Sequence, residues 1–391
     1  MEISVYFEPL DIDLIQGDDI YQPSQLGRFI LKNTNELGFP SCENAQIAII
    51  GVKEDRNAVN NSGCANAPDR VREELYKLFQ GNYNLNIVDL GNIKSGNEIT
   101  DTYFALSHSC TELIKRNILP IIIGGSNDLT FANYVAYINL EQLVNVVSID
   151  SSFDIGATNS PFNAKTFISK ILLHQPNVLF NYSNIGYQTY FVDQEAIALM
   201  DKLFFDSYRL GVVRKNIEDT EPIVRNADIV SFDISAVRYA DAPGNGNASP
   251  NGFYGEEVCQ IARYVGLSER VSSVGFYEMN PDLDKRNQTA QLVAQMIWYF
   301  LDGYANRKKD NPGKDKSKFM KYHVFLEDNK YEIIFYKSKM TDRWWMEVPY
   351  PADKKTKYER LNLVPCSYTD YKTACDGEMP DRWWQAHQKL S

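Results

Sequence analysis

Histidine is scarce in this chain of 391 residues: there are four, and none lies beside a cysteine at the spacing of a zinc site. The six cysteines (Cys42, Cys64, Cys110, Cys259, Cys366 and Cys375) include no CxxC pair. They are expected to be reduced thiols in a cytoplasmic protein, not a disulfide framework. No apolar run approaches the length of a membrane span, and the opening MEISVYFEPLDIDL has neither a basic segment nor a long apolar one. Neither a membrane span nor a signal peptide is therefore expected. Positive charge is also in short supply. Lys and Arg number 40 against 51 Asp and Glu, a formal net charge of -11, which argues against nucleic acid or anionic membrane as the main partner.

What the chain does have is apolar periodicity. At 44% hydrophobic and 23% charged it reads as globular, long enough for one large core or two smaller ones. Residues 1–44 show little beyond a short strand at Ile3–Phe7. Strands are then predicted at Ala45–Ile50, Asn86–Leu90, Leu119–Ile123, Val144–Ile149, Ser183–Tyr187, Tyr208–Val212, Ile229–Ile234 and Val271–Tyr277. Between them run helical patterns. Pro68 suits a first turn, with Val71, Leu75 and Leu78 behind it, and further helices are expected around Tyr103–Lys115, Glu195–Leu203, Val258–Val265 and Thr289–Asp302. Eight strands alternating with helices predict an α/β fold with a parallel sheet covered on both faces. Pattern alone leaves an open sheet and a closed barrel both standing.

The rest of the chain is organised around residues 228–253, DIVSFDISAVRYADAPGNGNASPNGF. Asp233 falls at the end of its apolar run, before a loop dense in Gly, Pro and Asn. Asp150 and Asp154 follow an earlier strand, and Gly124-Gly125-Ser126-Asn127-Asp128 follows another. Carboxylates at the C-terminal ends of parallel strands are where α/β proteins place their chemistry. Any one of these would pass for a loop cap. Three such strand ends, with Glu278-Met279-Asn280-Pro281 after a fourth, mark the candidate site.

The passage around Asp233 resembles the SFDID-x-x-DP-x-x-APGTGTP signature of the ureohydrolases, which include arginases, agmatinases and formimidoylglutamases. GCANAPDRVREELYKLF is most similar to the formimidoylglutamase branch. The resemblance covers roughly residues 45–303. It implies a three-layer αβα arginase-like fold with an eight-stranded, mainly parallel sheet, assigned here to a domain of residues 1–305. It also implies a pair of manganese ions held by GGDH, DAHxD and SFDID motifs, with an ion-activated water attacking a guanidino or formimino carbon. In this sequence the first motif has Asn127 where the family has histidine. The second keeps Asp150 and Asp154 but has Ser152 for its histidine, and the third keeps Asp233 but has Ser235 for its second aspartate. Three of six ligands remain.

What remains is a set of oxygen ligands, Asn127, Asp150, Asp154 and Asp233, suited to no ion or to one divalent cation (Mg²⁺, Ca²⁺ or Mn²⁺) and not to a manganese pair. The family's downstream catalytic histidine has no counterpart in GATNSPFNAKTFISK. Glu278 matches the glutamate that holds the substrate's cationic nitrogen. Three close carboxylates need charge compensation, from a bound hard cation, a shared proton or a basic side chain, and Arg238, in the loop after Asp233, is the candidate for the last. Two functions follow as expectations. One is a degenerate, non-catalytic family member serving binding, scaffolding or regulation; the other is a formimidoylglutamase-like hydrolase of non-peptide C–N bonds with an altered metal site.

Residues 306–318, NRKKDNPGKDKSK, read as a solvated linker. Beyond them a compact aromatic-rich appendage is expected at 319–391, opening with a hairpin of Tyr322–Phe325 and Tyr331–Phe335 about Asp328-Asn329. The appendage repeats a motif: Asp342-Arg343-Trp344-Trp345 recurs as Asp381-Arg382-Trp383-Trp384. These tryptophans are expected to be buried, fastening the appendage to its own core or meeting a partner or a second copy of the chain.

Overall fold

The computed structural model describes residues 3–11, 21–157, 159–326, 330–354 and 358–391. A ten-stranded sheet runs through it, built from β1 (Phe7–Glu8), β2 (Leu31–Lys32), β3 (Ile47–Val52), β4 (Ile87–Ile93), β5 (Leu119–Gly124), β6 (Val144–Ile149), β7 (Leu179–Tyr187), β8 (Asp206–Arg209), β9 (Ile229–Asp233) and β10 (Ser273–Tyr277). Their order across the sheet is β1-β4-β3-β5-β10-β9-β6-β7-β8, with β2 against β4. β1 is antiparallel to β4, and the other pairings are parallel.

All eight strands expected of the core are present, but the sheet has ten. The two extra strands are edge pieces of two residues each, too short to leave a period in the sequence. The strand expected at Ile3–Phe7 begins as a 3-10 turn, Ile3–Tyr6. The one expected at Tyr208–Val212 stops at Arg209, where a helix, Leu210–Lys215, takes over.

Strands β3, β5 and β6 (IAIIGV, LPIIIG and VNVVSI) are buried at every position, as expected of parallel strands covered on both sides. Alternate side chains leave by opposite faces. Ile47, Ile49, Ile121 and Ile123 pack with Val71 and Leu75, with Ile261 and Val265, and with Val293, Ile297 and Phe300. Those residues lie on the helices Ala67–Leu75, Gly255–Leu267 and Gln288–Ala305. Ala48, Ile50 and Ile122 pack instead with Leu106, Tyr134 and Phe167, from the helices Ile99–Lys115, Leu129–Asn139 and Phe167–Leu173. Two cores with one sheet between them make three layers. Pro68 sits in the first turn of its helix as expected. From the same helix the buried Arg72 grips Asp89 on β4 with two bonds, Nε at 2.8 Å and Nη2 at 2.9 Å.

The C-terminal residues form a second sheet, antiparallel, of β11 (Phe319–Leu326), β12 (Tyr331–Ser338), β13 (Trp344–Glu347) and β14 (Leu363–Cys366). The expected hairpin is its first half, although its turn at Asp328-Asn329 lies outside the described residues. The repeated DRWW motif takes two conformations: the first copy runs into β13, and the second opens the helix Asp381–Leu390. Trp344, Trp345 and Trp383 are buried, but Trp384 is 42% exposed. The helix turns Trp383 inward, where its indole N–H donates to the Glu347 carbonyl at 3.0 Å, and leaves its neighbour outside.

Both arginines of the repeat reach the larger sheet's helical layer. Arg343 Nε lies 3.1 Å from Glu221 Oε1, and Arg382 Nη2 donates to the Asp219 carbonyl at 3.3 Å. From the other side Arg225 covers the Trp345 ring at 4.3 Å. The expected solvated linker is anchored as well. Arg307 donates to the carbonyls of Gly266 and Val271 at 2.8 and 3.2 Å, and Asp310 is buried against Arg343. Among the described residues no helix is long and apolar enough to cross a membrane.

Trp383→Ala is expected to cost about 3–5 kcal/mol by chemical denaturation, as for other buried aromatics. Trp384→Ala should stay within about 0.5 kcal/mol, as exposed sites do. Equal losses would contradict this placement. A pH signature comes from Lys389, whose ammonium donates to Asn181 and whose pKa burial pushes down from 10.5 to about 8. Between those values the folded chain binds fewer protons than the unfolded one, so stability should rise with pH across that window. Melting curves of Lys389→Met against wild type, taken from pH 8 to about 10.5, should show the difference shifting toward wild type as pH climbs.

Candidate functional site

Four adjacent strands at the middle of the sheet, β5-β10-β9-β6, each end at a residue of the site. Asn127 follows β5, Glu278 follows β10, Asp233 closes β9 and Asp150 follows β6. Parallel strands share one C-terminal edge, so sequence positions far apart meet there. All four residues are buried, and so is Asp154 in the loop after β6. The backbone is forced at two of these points. Asp154 and Glu278 hold φ of 51° and 69°, a conformation that costs a non-glycine residue on the order of 1–3 kcal/mol. Gly125 serves close approach instead. A Cβ there would lie 1.9 Å from the Glu54 carbonyl oxygen, so only glycine lets the two segments touch.

The expected convergence of aspartates is present. One carboxylate oxygen from each of Asp150, Asp154 and Asp233 falls within 4.8 Å of the others. Ser152 Oγ donates to Asp154 at 2.7 Å, and its backbone N–H donates to Asp150 at 2.9 Å. The Ser235 backbone N–H donates to Asp233 at 2.7 Å. Glu278 joins the group through Asn127, whose backbone N–H donates to Oε1 at 2.8 Å, while Asn61 serves Oε2 at 2.7 Å. Burial, followed by the charges of Asp154 and Asp233, raises Asp150 well above the ordinary carboxylate range. Burial and Asp233 push Glu278 up to about 8.

Two expectations about individual residues are corrected. Asn127 does not offer its oxygen to a cation. Its Oδ1 accepts from Ser231 Oγ at 2.9 Å and Thr130 Oγ1 at 3.2 Å. Its Nδ2 faces Asp150, Asp154 and Asp233 at 3.4, 3.3 and 3.3 Å. Carboxylates only accept hydrogen bonds, so the amide turns its donors toward them. Arg238 is not the compensating cation either. It pairs with Asp241 in its own loop at 2.9 Å and lies 4.0 Å over the Tyr254 ring.

The cation is Lys165, which no sequence motif singles out. Its Nζ lies 3.4 Å from Asp233 Oδ2 and 3.5 Å from Asp154 Oδ1, with the side chain 28% exposed. Burial would lower its pKa, but Asp154, Asp233 and Asp150 outweigh that and hold it well above the ordinary lysine value. One signal does point its way: Lys165 lies in GATNSPFNAKTFISK, the segment that lacks the family's catalytic histidine.

Two metal ions do not fit these residues. Ser152 and Ser235 offer hydroxyls where a second ion needs charged or imidazole ligands. Asn127 presents nitrogen-bound hydrogens, and Lys165 holds two of the three carboxylates. The aspartates alone form a group that could take one ion, in competition with the ammonium.

Residues 45–302 match the model of the arginase family. Formimidoylglutamases of Staphylococcus haemolyticus and Staphylococcus aureus are 27% and 28% identical over 267 residues, covering 65% of this chain and 85% of theirs. Among solved structures, a Trypanosoma cruzi formiminoglutamase with Mn²⁺ superposes with a TM-score of 0.64 at 20% identity, covering 73% of this chain and 99% of that one. The Bacillus subtilis formimidoylglutamase gives 0.62 at 20% identity, covering 67% and 88%. The structural likeness shows a shared fold, and the match over residues 45–302 goes further: this chain belongs to the arginase family.

Proposed function

We propose that the protein is a formimidoylglutamase-like hydrolase of non-peptide carbon–nitrogen bonds, acting on a formimino or guanidino group at an altered centre. The names of its relatives support this reading over a purely non-catalytic one. The structural observation that carries it is the joining of Glu278 to the aspartate cluster through the backbone and side chain of Asn127. The glutamate and the reacting centre would thus share one buried sheet edge. A glutamate raised to about 8 keeps its proton near neutrality, so it can donate to a leaving nitrogen. A neighbouring ionised aspartate can accept a proton from attacking water. No step here calls on a metal.

A second reading, a binding, scaffold or regulatory protein, draws on one observation: Lys165 pairs with two of the cluster's carboxylates where the family resemblance would place its ions. The two readings part on turnover. Purified chain should release formamide or ammonia from formimidoylglutamate, or urea from arginine or agmatine, with and without added Mn²⁺. Glu278→Gln should lower kcat at least tenfold, about 1.4 kcal/mol of barrier. Substrate binding by calorimetry with no release from any of the three would overturn the hydrolase reading in favour of the second.

A further inference from the structure

We propose that Lys165 is a resident cation of this centre: its ammonium takes the charge-balancing role of a metal ion, and the wild-type chain folds without one. The inference holds under either reading of the pocket, since it concerns what balances the carboxylates and not what they act on.

Three observations carry it. The ammonium is shared, 3.4 Å from Asp233 and 3.5 Å from Asp154, and so touches the carboxylate that closes β9 and the one in the loop after β6. A metal held between those carboxylates would sit beside the ammonium, bringing two cations together. The second observation is the backbone that delivers the lysine. The Lys165 N–H donates to Asn163 Oδ1 at 2.8 Å, and the buried Ala164 donates to the Asn57 carbonyl at 3.0 Å. Phe167 and Ile168 then enter the core, and the Ile168 N–H returns to the Asp154 carbonyl at 3.2 Å. The lysine is therefore held from both sides by packed residues, unlike one swinging freely at a surface. The third is the reversed amide of Asn127, which faces the same carboxylates with hydrogens. Two independent side chains treat the cluster as anions to be donated to.

The test begins with wild-type protein stripped by chelator, incubated with Mn²⁺ and passed through gel filtration. Elemental analysis should find no retained manganese, and the melting temperature should be the same with and without the ion. Lys165→Met should lower the melting temperature by several degrees, bind one Mn²⁺ per chain and recover part of the loss when it does. A paired variant guards against simple misfolding. In Asp154→Asn with Lys165→Met, charge and counter-charge leave together, so the melting temperature should lie above that of Lys165→Met alone. Stoichiometric manganese in the wild type would overturn the proposal. So would a Lys165→Met protein unchanged in both melting temperature and metal content, or losses in Lys165→Met and in Asp154→Asn, each made alone, that merely add in the double variant.

Discussion

Like charge confined in a small buried volume sets the terms for this structure. Two carboxylates about 4 Å apart repel by about 4 kcal/mol at an effective dielectric constant of about 20. A domain's whole margin of stability is about 5–15 kcal/mol. Three aspartates at one sheet edge therefore cannot stand uncompensated. The donors around them answer that constraint: Ser152 and Ser235 through their backbones, Asn127 through its amide, and Lys165 with a full charge. The raised pKa of Asp150 belongs to the same balance, because burial and the charges of Asp154 and Asp233 disfavour its ionised form more than Lys165 favours it.

The strand order gathers the charges. Chain order would scatter Asn127, Asp150, Asp233 and Glu278, but β5, β10, β9 and β6 lie side by side and share a C-terminal edge. Relatives with 20% identity keep that fold, while the chemistry along the edge is free to change. The C-terminal sheet lies outside the residues that match the family, yet it is not loosely attached. Its repeat arginines grip Asp219 and Glu221, on the segment that leads into the helix Thr220–Arg225 and then β9.

Much of this was legible from residue order. Runs such as LPIIIG, buried on both faces, announce themselves, and so do the three motifs that end in Asn127, Asp150–Asp154 and Asp233. Lys165 was not legible, because it lies in a loop with no period and acts through a long side chain whose direction only packing decides. Arg238 misled for the converse reason: Asp241 and Tyr254, close by in the chain, already satisfy it. The orientation of Asn127 depends on Ser231 and Thr130, hydroxyls that no motif couples to it. The two DRWW copies looked equivalent and are not, since a strand and a helix turn the same letters in different directions.

Lys165 also makes the full ligand set implied by the family resemblance hard to install one change at a time. An imidazole restored at Asn127 or Ser152 would arrive beside an ammonium. An aspartate restored at Ser235 would add a fourth negative charge to a group already short of compensation. Removing the lysine first would leave three buried carboxylates facing one another. Each single change toward the family's ligand set therefore begins uphill while Lys165 and the three carboxylates stay in place.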